Sequence, residues 1–289
     1  MTADPVADHD QEFMALRPLL LGIAYRMLGT RSEAEDVVQD AYLRWERTER
    51  SRVRSARAYL TTTVTRLAVD HLRSARRARE QYVGPWLPEP LIVDDLERTV
   101  ERREHVSTAL MIVLERLTPD ERAAWLLREV FDYPYAEVAS ILDRSETACR
   151  QLVSRARRHI AEQRGRFTAS EDQHERLMDR FVQACTGGDM HELMALLTDD
   201  VVLLSDSGGT VRAARRPVEG RDKVAPLLLG ILGGLPADAR VELRRVNGEP
   251  GVIVRHGDGA PLAVVTMSAT TQAIAGVHIL VNPDKLRGV

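Results

Sequence analysis

The sequence lacks the features of a secreted, metal-binding or membrane protein. Only two of its 289 residues are cysteines. Cys149 and Cys185 lie too far apart in sequence for a disulfide framework or a metal set, so we interpret both as small core residues on helical apolar stripes. No stretch approaches the roughly 20 apolar residues of a membrane span, and the N-terminus is acidic rather than signal-like. We therefore expect a cytoplasmic protein without membrane, metal or cofactor.

A net basic charge is also absent, although domains that bind nucleic acid are usually basic. The formal net charge of the chain is −3. The arginines nevertheless collect in three runs, at 44–57, 66–79 and 150–166. Because salt screens phosphate attraction beyond about 8–10 Å, these local patches matter more than the sum.

Residues 135–160 have the pattern of a helix-turn-helix. Val138 and Leu142 lie on one apolar face of the first helix. Asp143 stands in the turn where this motif often has glycine, and aspartate tolerates a left-handed backbone better than most residues. Ser145 suits the N-cap of the second helix. The polar face of that helix favours DNA binding, and an ordinary helical hairpin with solvated arginines is the alternative.

The N-terminal part of the chain is helical throughout by its apolar period. Ser32 and Glu35 have the form of a capping box that begins the second helix. Residues 46–57 show no sustained apolar period and are predicted to form a basic loop. The neighbouring aromatics Trp45 and Tyr59 either stack on the bases of a single strand or belong to the core, which their spacing favours.

A connector follows at 81–93, where three prolines and a glycine favour an extended chain. Its residues Tyr82 and Trp86 are too apolar for a freely solvated tether, so we predict that it docks on another part of the chain or on a partner. Farther on, Thr118 is a predicted N-cap with Pro119 at the first helical position.

Beyond residue 170, a helical pair precedes several β-branched stretches of period two. Helices first and strands after predict an α+β domain with a curved antiparallel sheet. The chain is therefore predicted to be multidomain, with two all-α domains at 1–80 and 106–166, a linker at 81–105, and the α+β domain at 170–289.

Together these motifs resemble a bacterial RNA polymerase sigma factor of the extracytoplasmic-function group. Sigma region 2 resembles AYRMLGTRSEAEDVVQDAYLRW and RAYLTTTVTRLAVDHLRS. Region 4 resembles LERLTPDERAAWLLREVFDYPYAEVASILDRSETACRQLVSRARR. The last domain, with FVQACTGGDMHELMALLTDDVVLLSDSGG and VNPDKL, is similar to SnoaL-like members of the NTF2-like fold, and GPWLPEP is typical of sigma factors that carry this fused domain. The matches cover nearly the whole chain.

The resemblance implies promoter-specific transcription initiation without catalysis. Its partners would be promoter DNA and core RNA polymerase, through the β′ clamp helices and the β flap. The surface implied to face the clamp helices consists of Asp36, Gln39 and Asp40. The residues implied to hold the melted −10 strand are Arg52, Arg54 and Arg57 on the loop and Thr62, Thr63, Arg66 and His71 on the next helix. Those implied to contact the −35 element are Thr147, Arg150, Gln151, Ser154 and Arg155, with Arg157 and Arg158 on phosphates.

We expect the last domain to modulate activity in cis by touching the linker, which requires a contact that differs between two arrangements. The contact would join Trp86, Leu87 and Pro88 of the linker to Asp284, Lys285 and Leu286 near the C-terminus. Because the fold does not decide the activity, the alternatives for this domain are a bound small ligand or an enzyme that uses Asp206 or His278 as acid and base. For the whole chain, the alternative is a helix-turn-helix regulator that never meets polymerase.

Overall fold

The structure is a computed structural model that describes residues 5–79, 82–92, 107–163 and 169–289. Contacts divide the chain into two compact units, of which the first combines 1–80 with 114–159 and the second combines 81–113 with 160–289. Most of the predicted linker, at 93–105, lies outside the described residues, as does the start of the predicted second helical domain at Val106. Among the described helices, none has both the length and the apolar character of a bilayer-spanning segment.

The N-terminal helices confirm the predicted helical character and correct two details. The elements are α1 (Pro5–Leu28), α2 (Arg31–Glu46), a 3₁₀ turn (Arg50–Arg52) and α3 (Ala56–Arg79). The predicted cap at Ser32 is wrong, because α2 follows Thr30, whose hydroxyl donates to Glu33 at 2.5 Å. Arg57 lies on α3 and not on the basic loop, because the helix begins one residue before it.

The aromatic pair beside the basic loop belongs to the core. Trp45 is fully buried, and its ring centroid lies 5.6 Å from that of Tyr59. Its indole nitrogen donates to the carbonyl of His9 at 3.0 Å. Trp45 is therefore not placed to stack on a nucleic-acid base.

The helix-turn-helix forms as its local signals predict. Its surroundings are α4 (Thr108–Leu114), α5 (Pro119–Trp125) with a π-helical extension (Leu126–Val130), α6 (Tyr135–Leu142) and α7 (Glu146–Gln163). Thr118 makes a reciprocal capping box with Glu121. Asp143 ends α6 with a left-handed φ of 53°, and the Ser145 hydroxyl accepts from the backbone N–H of Ala148 at 3.1 Å.

The second unit is built on one six-stranded sheet. Its elements are α8 (Glu171–Gly187), α9 (Met190–Leu196), β1 (Leu197–Asp206), β2 (Val218–Glu219), α10 (Arg221–Gly233), β3 (Arg240–Val246), β4 (Glu249–Arg255), β5 (Pro261–Ala269), β6 (Ile274–Leu280) and α11 (Pro283–Leu286). The strand order is β2-β1-β6-β5-β4-β3. The helices-then-sheet order is confirmed, but the sheet is mixed, because β1 and β6 run parallel. A helical crossover separates β1 from the β3–β6 meander, and a crossover permits the parallel pairing that a tight hairpin forbids.

Both faces of this sheet are buried. On one face, Leu203 and Val277 pack with Phe181 of α8. On the other face, Ile253 and Leu280 form a core with Leu87 of the connector and Leu286 of α11. The predicted docking of the connector is therefore confirmed for residues 82–92, which lie on the sheet in place of a third layer.

Candidate nucleic-acid interface

Helix α7 presents one polar face to solvent. Cys149, Val153 and Ala156 are fully buried on its inner side. Every α7 residue that sequence reasoning assigned to DNA is exposed, namely Thr147, Arg150, Gln151, Ser154, Arg155, Arg157 and Arg158. The guanidinium of Arg150 lies 4.3 Å from the ring centroid of Tyr135 and 3.1 Å from the Glu146 carboxylate. These contacts hold Arg150 near the N-terminal end of α7, the end that reaches base edges in this class of motif.

Two arginines of α7 are tied to the helix in front of it. Arg155 Nε donates to the carboxylate of Glu121 at 2.7 Å, and Arg157 pairs with Glu129 at 2.8 Å. Burial alone would raise the pKa of Glu121, but hydrogen bonds from Arg155 and Thr118 outweigh it and hold the pKa below its ordinary value. Arg155 thus sets the position of α7, while Arg150 and Gln151 have no such tie to α5.

Helix α3 carries the residues predicted to hold a single strand. Arg52 and Arg54 are exposed on the basic loop, where Arg52 pairs with Glu49 at 2.7 Å. The hydroxyls of Thr62 and Thr63 donate to backbone carbonyls one turn earlier. His71 lies 3.1 Å from the Glu33 carboxylate.

The same helix is in contact with the helix-turn-helix. Arg66 donates to the carbonyls of Ile141 at 2.8 Å and Ser140 at 3.2 Å. The Tyr133 hydroxyl lies 3.1 Å from the Thr61 hydroxyl and accepts from Arg57 at 3.4 Å. Two of the side chains predicted to hold the strand, Arg57 and Arg66, therefore contact the region that precedes or contains α6.

A buried arginine that sequence reasoning missed reinforces this contact. Arg122 is 2% exposed, donates to the carbonyl of Arg26 in α1 at 3.1 Å, and pairs with Glu115. Its position on the first turns of an amphipathic helix gives no sequence signal of burial. Together with Tyr133, it holds the N-terminal helices against the helix-turn-helix.

The acidic residues of α2 form a separate exposed strip. Asp36, Gln39 and Asp40 face solvent, whereas the intervening Val37 and Val38 are buried. The strip is held by a fixed helix rather than a loop, as a protein-binding surface requires for a defined geometry.

In the second unit, Asp206 joins the linker to the C-terminal helix. Its carboxylate is fully buried and accepts from the Tyr82 hydroxyl at 2.5 Å, the Leu87 N–H at 2.8 Å and the Gly208 N–H at 3.0 Å. It also pairs with the Lys285 ammonium at 2.8 Å. That ammonium donates to the Leu87 carbonyl at 2.5 Å and lies 4.1 Å from the centroid of the Trp86 ring. We call Tyr82, Trp86, Leu87, Asp206 and Lys285 the latch.

The latch brings together both segments expected to touch. Pro88, Leu87 and Leu286 are buried, whereas Asp284 is exposed and pairs with Arg287. Burial, together with the hydrogen bond to Asp206, raises the pKa of the Tyr82 hydroxyl, so this group stays a donor. Sequence reasoning considered Asp206 only as a catalytic acid and missed its place in the latch.

Comparison with known proteins identifies the chain. The models of "Sigma-70 region 2" and "Sigma-70, region 4" match residues 13–78 and 107–160. The ECF RNA polymerase sigma factor SigJ of Mycobacterium tuberculosis is 39% identical, over 96% of this chain and 93% of its own. This chain is an extracytoplasmic-function sigma factor. The probable sigma factor SigI of the same species is 33% identical over 98% of this chain and 95% of its own. The crystal structure of SigJ matches with a TM-score of 0.78 at 38% identity, covering 96% of this chain and 98% of that one.

The sheet domain of this sigma factor also contains an apolar cavity of about 310 Å³. It lies between the helices and the sheet, with Phe181, Leu228 and Val252 in its wall and Arg212 as its charged lining residue among those described. Burial raises the pKa of the Cys185 thiol in this wall to about 12, so the thiol is unreactive at neutral pH.

The two residues considered as a catalytic pair do not line this cavity. The described side-chain contacts of Asp206 belong to the latch and its adjoining turn. His278 is buried on β6 beside the hydroxyls of Ser268 and Thr266, at 3.3 and 3.4 Å. Burial lowers its pKa to about 4. The sigma factor family is not one of enzymes.

Proposed function

We propose that this sigma factor binds core RNA polymerase through the α2 strip and directs initiation at promoters that α7 and α3 recognise. The observation that carries the proposal is the division of α7 into a buried apolar stripe and an exposed face that contains all seven residues assigned to DNA. Packing in a helical bundle requires only the buried stripe and does not explain these seven polar residues on the exposed face. We keep 1–80, 81–105, 106–166 and 170–289 as the functional divisions.

At the −35 element, α7 enters the major groove with Thr147, Arg150 and Gln151 toward the bases. An arginine that makes a bidentate contact to guanine discriminates by about 1–3 kcal/mol against the wrong base. Arg157 and Arg158 contact phosphates, which orient the helix without reading sequence. The Arg155 side chain either keeps its contact with Glu121 or breaks it to contact DNA. In both cases the side chain lies at the interface with DNA.

At the −10 element, the basic loop and α3 trap bases of one strand after unstacking, which costs a few kcal/mol per base. The candidates are Arg52, Arg54, Arg57, Thr62, Thr63, Arg66 and His71. Since Arg66 and Arg57 contact Ser140, Ile141 and Tyr133 in the first unit, the strand and the helix-turn-helix compete for the same side chains. The closed first unit is therefore an inactive arrangement, and opening precedes −10 capture.

The sheet domain regulates this opening in cis through the latch. The latch holds the start of the linker with three hydrogen bonds, a cation–π contact and a buried apolar core, so it favours an arrangement that keeps the linker on the sheet. The free energy of these contacts shifts the equilibrium toward the latched form, so fewer molecules have a free linker. The domain thus replaces a separate inhibitory protein.

Run-off transcription with core polymerase tests this function. The full-length protein is added to a promoter from upstream of its own gene, beside Arg150→Ala and Lys285→Met variants. We expect a specific transcript that Arg150→Ala abolishes and that Lys285→Met changes in amount. Asp179→Asn, an exposed substitution on α8, serves as the control. A DNA-binding chain that neither binds core nor yields a transcript would be the polymerase-independent regulator instead.

The cavity supports a second function for the sheet domain, the binding of a small ligand. Its wall is apolar, and Arg212 at its edge has no ion-pair partner among the described residues. A ligand with an apolar body and one anionic group fits this pairing. Octanoate serves as the probe, and we expect it to raise the Tm of the wild type but not of Arg212→Gln. Arg216→Gln, which lies outside the cavity wall, is the matched control. An unchanged Tm with octanoate and decanoate would exclude this ligand class.

A further inference from the structure

The hairpin between β3 and β4 turns at Asn247 and Gly248, both with a left-handed φ, of 51° and 78°. Such an Asn-Gly pair is the usual chemistry of a tight two-residue hairpin. Hairpin tips normally lie at the surface, where water satisfies their polar groups. Asn247 is instead 5% exposed. Its burial means that another part of the chain covers the tip.

One covering segment belongs to the linker, at Leu91, and the other is the start of region 4, at Thr108. The Asn247 N–H donates to the Leu91 carbonyl at 2.8 Å, and the Leu91 N–H donates to the Asn247 side-chain oxygen at 2.9 Å. The side-chain nitrogen of Asn247 donates to the Thr108 hydroxyl at 2.8 Å. Because a backbone N–H can only donate, the contact with Leu91 fixes the orientation of the amide and leaves its nitrogen to Thr108.

The hairpin residues on either side of Asn247 and Gly248 contact the same two segments of the chain. Ile92 pairs with Val246 as an isolated antiparallel bridge. On the other side, Ser107 hydrogen-bonds to the carboxyl group of Glu249, whose burial raises its pKa to about 7. One hairpin thus binds residues 91–92, where the described chain leaves the sheet, and residues 107–108, where it returns to begin region 4. None of these residues belongs to the latch.

Leu91 and Thr108 are therefore held by opposite atoms of one amide group. Elements centred near −35 and −10 are about 25 base pairs apart, which is roughly 85 Å along a straight duplex. The 17 residues from Leu91 to Thr108 reach at most about 61 Å when fully extended. The farther apart Leu91 and Thr108 can move, the more of this distance the stretch between them provides. It provides almost none while both of its ends stay on Asn247.

We propose that Asn247 is a positioning residue that keeps Leu91 of the linker beside Thr108 at the start of region 4, and that one of its two contacts must break before both promoter elements are engaged. This inference rests on the proposed function. The clamp formed by Leu91, Thr108 and Asn247 acts beside the latch. The latch holds the first part of the connector, whereas the clamp sets the separation between the connector and region 4.

The test compares substitutions that leave the shape of the clamp intact. Thr108→Val removes the hydroxyl that Asn247 contacts, Thr108→Ser retains it, and Asn247→Gly keeps the left-handed turn without the amide. Thr266→Val makes the same chemical change in a buried strand, where the described hydrogen bond of the hydroxyl is with His278. Each full-length variant is assayed with core polymerase for the rate of open-complex formation. A pair of spin labels at Arg116→Cys and Arg244→Cys, both exposed positions, measures whether region 4 leaves the hairpin.

We expect the label distance of the wild type to lengthen on promoter binding. Thr108→Val and Asn247→Gly should show the longer distance in part of the free population and form open complexes about two- to tenfold faster, the range for one lost neutral hydrogen bond. Thr108→Ser and Thr266→Val should behave as the wild type. An active wild-type complex whose label distance equals that of the free protein would overturn the clamp. So would folded Thr108→Val and Asn247→Gly variants with wild-type rates. A wild type without any transcript would instead overturn the proposed function.

Discussion

The guanidinium of Arg66 donates to the backbone carbonyl of Ile141 at 2.8 Å. One residue is on the helix proposed to capture the −10 strand, and the other is on the first helix of the helix-turn-helix. A carbonyl contact of this kind is satisfied only in the closed unit, so it is lost when the strand takes its place. If the strand displaces this contact as proposed, weakening the closed unit without substituting the strand-binding residues should favour capture.

Tyr133→Phe makes that change. It removes the hydroxyl that contacts Thr61 and Arg57 and keeps the buried ring. We expect single-stranded −10 oligonucleotide to bind the variant about two- to tenfold more tightly, because the hydrogen bond with Thr61 and the longer contact with Arg57 no longer hold the closed form. Fluorescence anisotropy with labelled oligonucleotide measures the affinity. Arg66→Ala should weaken binding instead, since it removes a strand contact as well. Tighter binding by Arg66→Ala than by Tyr133→Phe would contradict the assignment of Arg66 to the strand.

The face of α7 predicts two kinds of loss at the −35 element. Arg150→Ala should cost about 1–3 kcal/mol on the preferred duplex and little on a duplex changed at the contacted base pair. Arg158→Ala should weaken both duplexes alike and reduce the slope of binding against salt by about one. Titrations at several salt concentrations separate the two. Equal losses from Arg150→Ala on every sequence would mean that Arg150 contacts phosphate.

The acidic strip on α2 predicts loss of core binding without loss of stability. Asp36→Asn with Asp40→Asn should weaken binding to core polymerase by about tenfold or more, since charge pairs across an interface contribute strongly. The free energy of unfolding should change by less than about 0.5 kcal/mol at these exposed sites. Surface plasmon resonance against core polymerase provides the measurement. The matched control is Asp179→Asn with Asp222→Asn, which removes two exposed carboxylates from the sheet domain. If the control lost core-polymerase binding to the same extent, the loss would reflect the net charge of the protein and not the acidic strip.

The latch predicts a strongly non-additive pair of substitutions. Lys285→Met leaves the Asp206 carboxylate buried without its cation, which should cost about 3–5 kcal/mol of stability. Adding Asp206→Asn removes the buried charge, so the double variant should recover much of that loss. Urea unfolding of the four proteins gives the coupling energy. If the losses of unfolding free energy in the two single variants simply add in the double variant, the ion pair is not what holds the linker on the sheet.

Two buried histidines predict acid sensitivity of the sheet domain. Burial lowers the pKa of His174 and of His278 from an ordinary 6.5 to about 4. Their neutral forms therefore favour the folded state fully above pH 6.5, and this contribution is lost as the pH falls toward 4. We expect His278→Gln to lose less stability than the wild type between pH 7.5 and 5. The difference should be on the order of 2 kcal/mol. Equal losses of unfolding free energy in the two proteins between pH 7.5 and 5 would refute the neutral buried state of His278.

Local chemistry accounts for what the sequence could predict. The cap at Thr118, the left-handed turn at Asp143 and the cap at Ser145 depend on neighbouring residues, and each is confirmed. The failed cap at Ser32 was also a local inference, but Gly29 takes a φ of 82° and the N-cap is Thr30, so the helix begins two residues earlier than the motif suggested.

Long-range pairing accounts for what the sequence could not predict. Asp206 and Lys285 are 79 residues apart, and only the parallel pairing of β1 with β6 ends both strands at the same edge of the sheet. The contacts of Arg66 with α6 likewise join residues that are 74 and 75 positions apart. Periodicity identifies which face of an element is apolar, but it carries no information on which distant polar group will meet it. The residues of α7 were found because a recurring motif fixes their face, whereas Asn247 and Tyr133 have no such motif.

The latch cannot form until Lys285 has been synthesised, long after the linker. The Lys285 ammonium bonds to a carbonyl that was synthesised 198 residues earlier. A ribosome that adds about 5–20 residues per second needs roughly 10–40 s for that stretch. Regions 2 and 4 are both complete before Lys285 exists, so every nascent chain passes through a period in which its linker is unlatched. If the latch restrains the sigma factor as proposed, the rate of latch closure relative to the rate of binding to polymerase sets the fraction of newly synthesised molecules that bind polymerase before the latch forms.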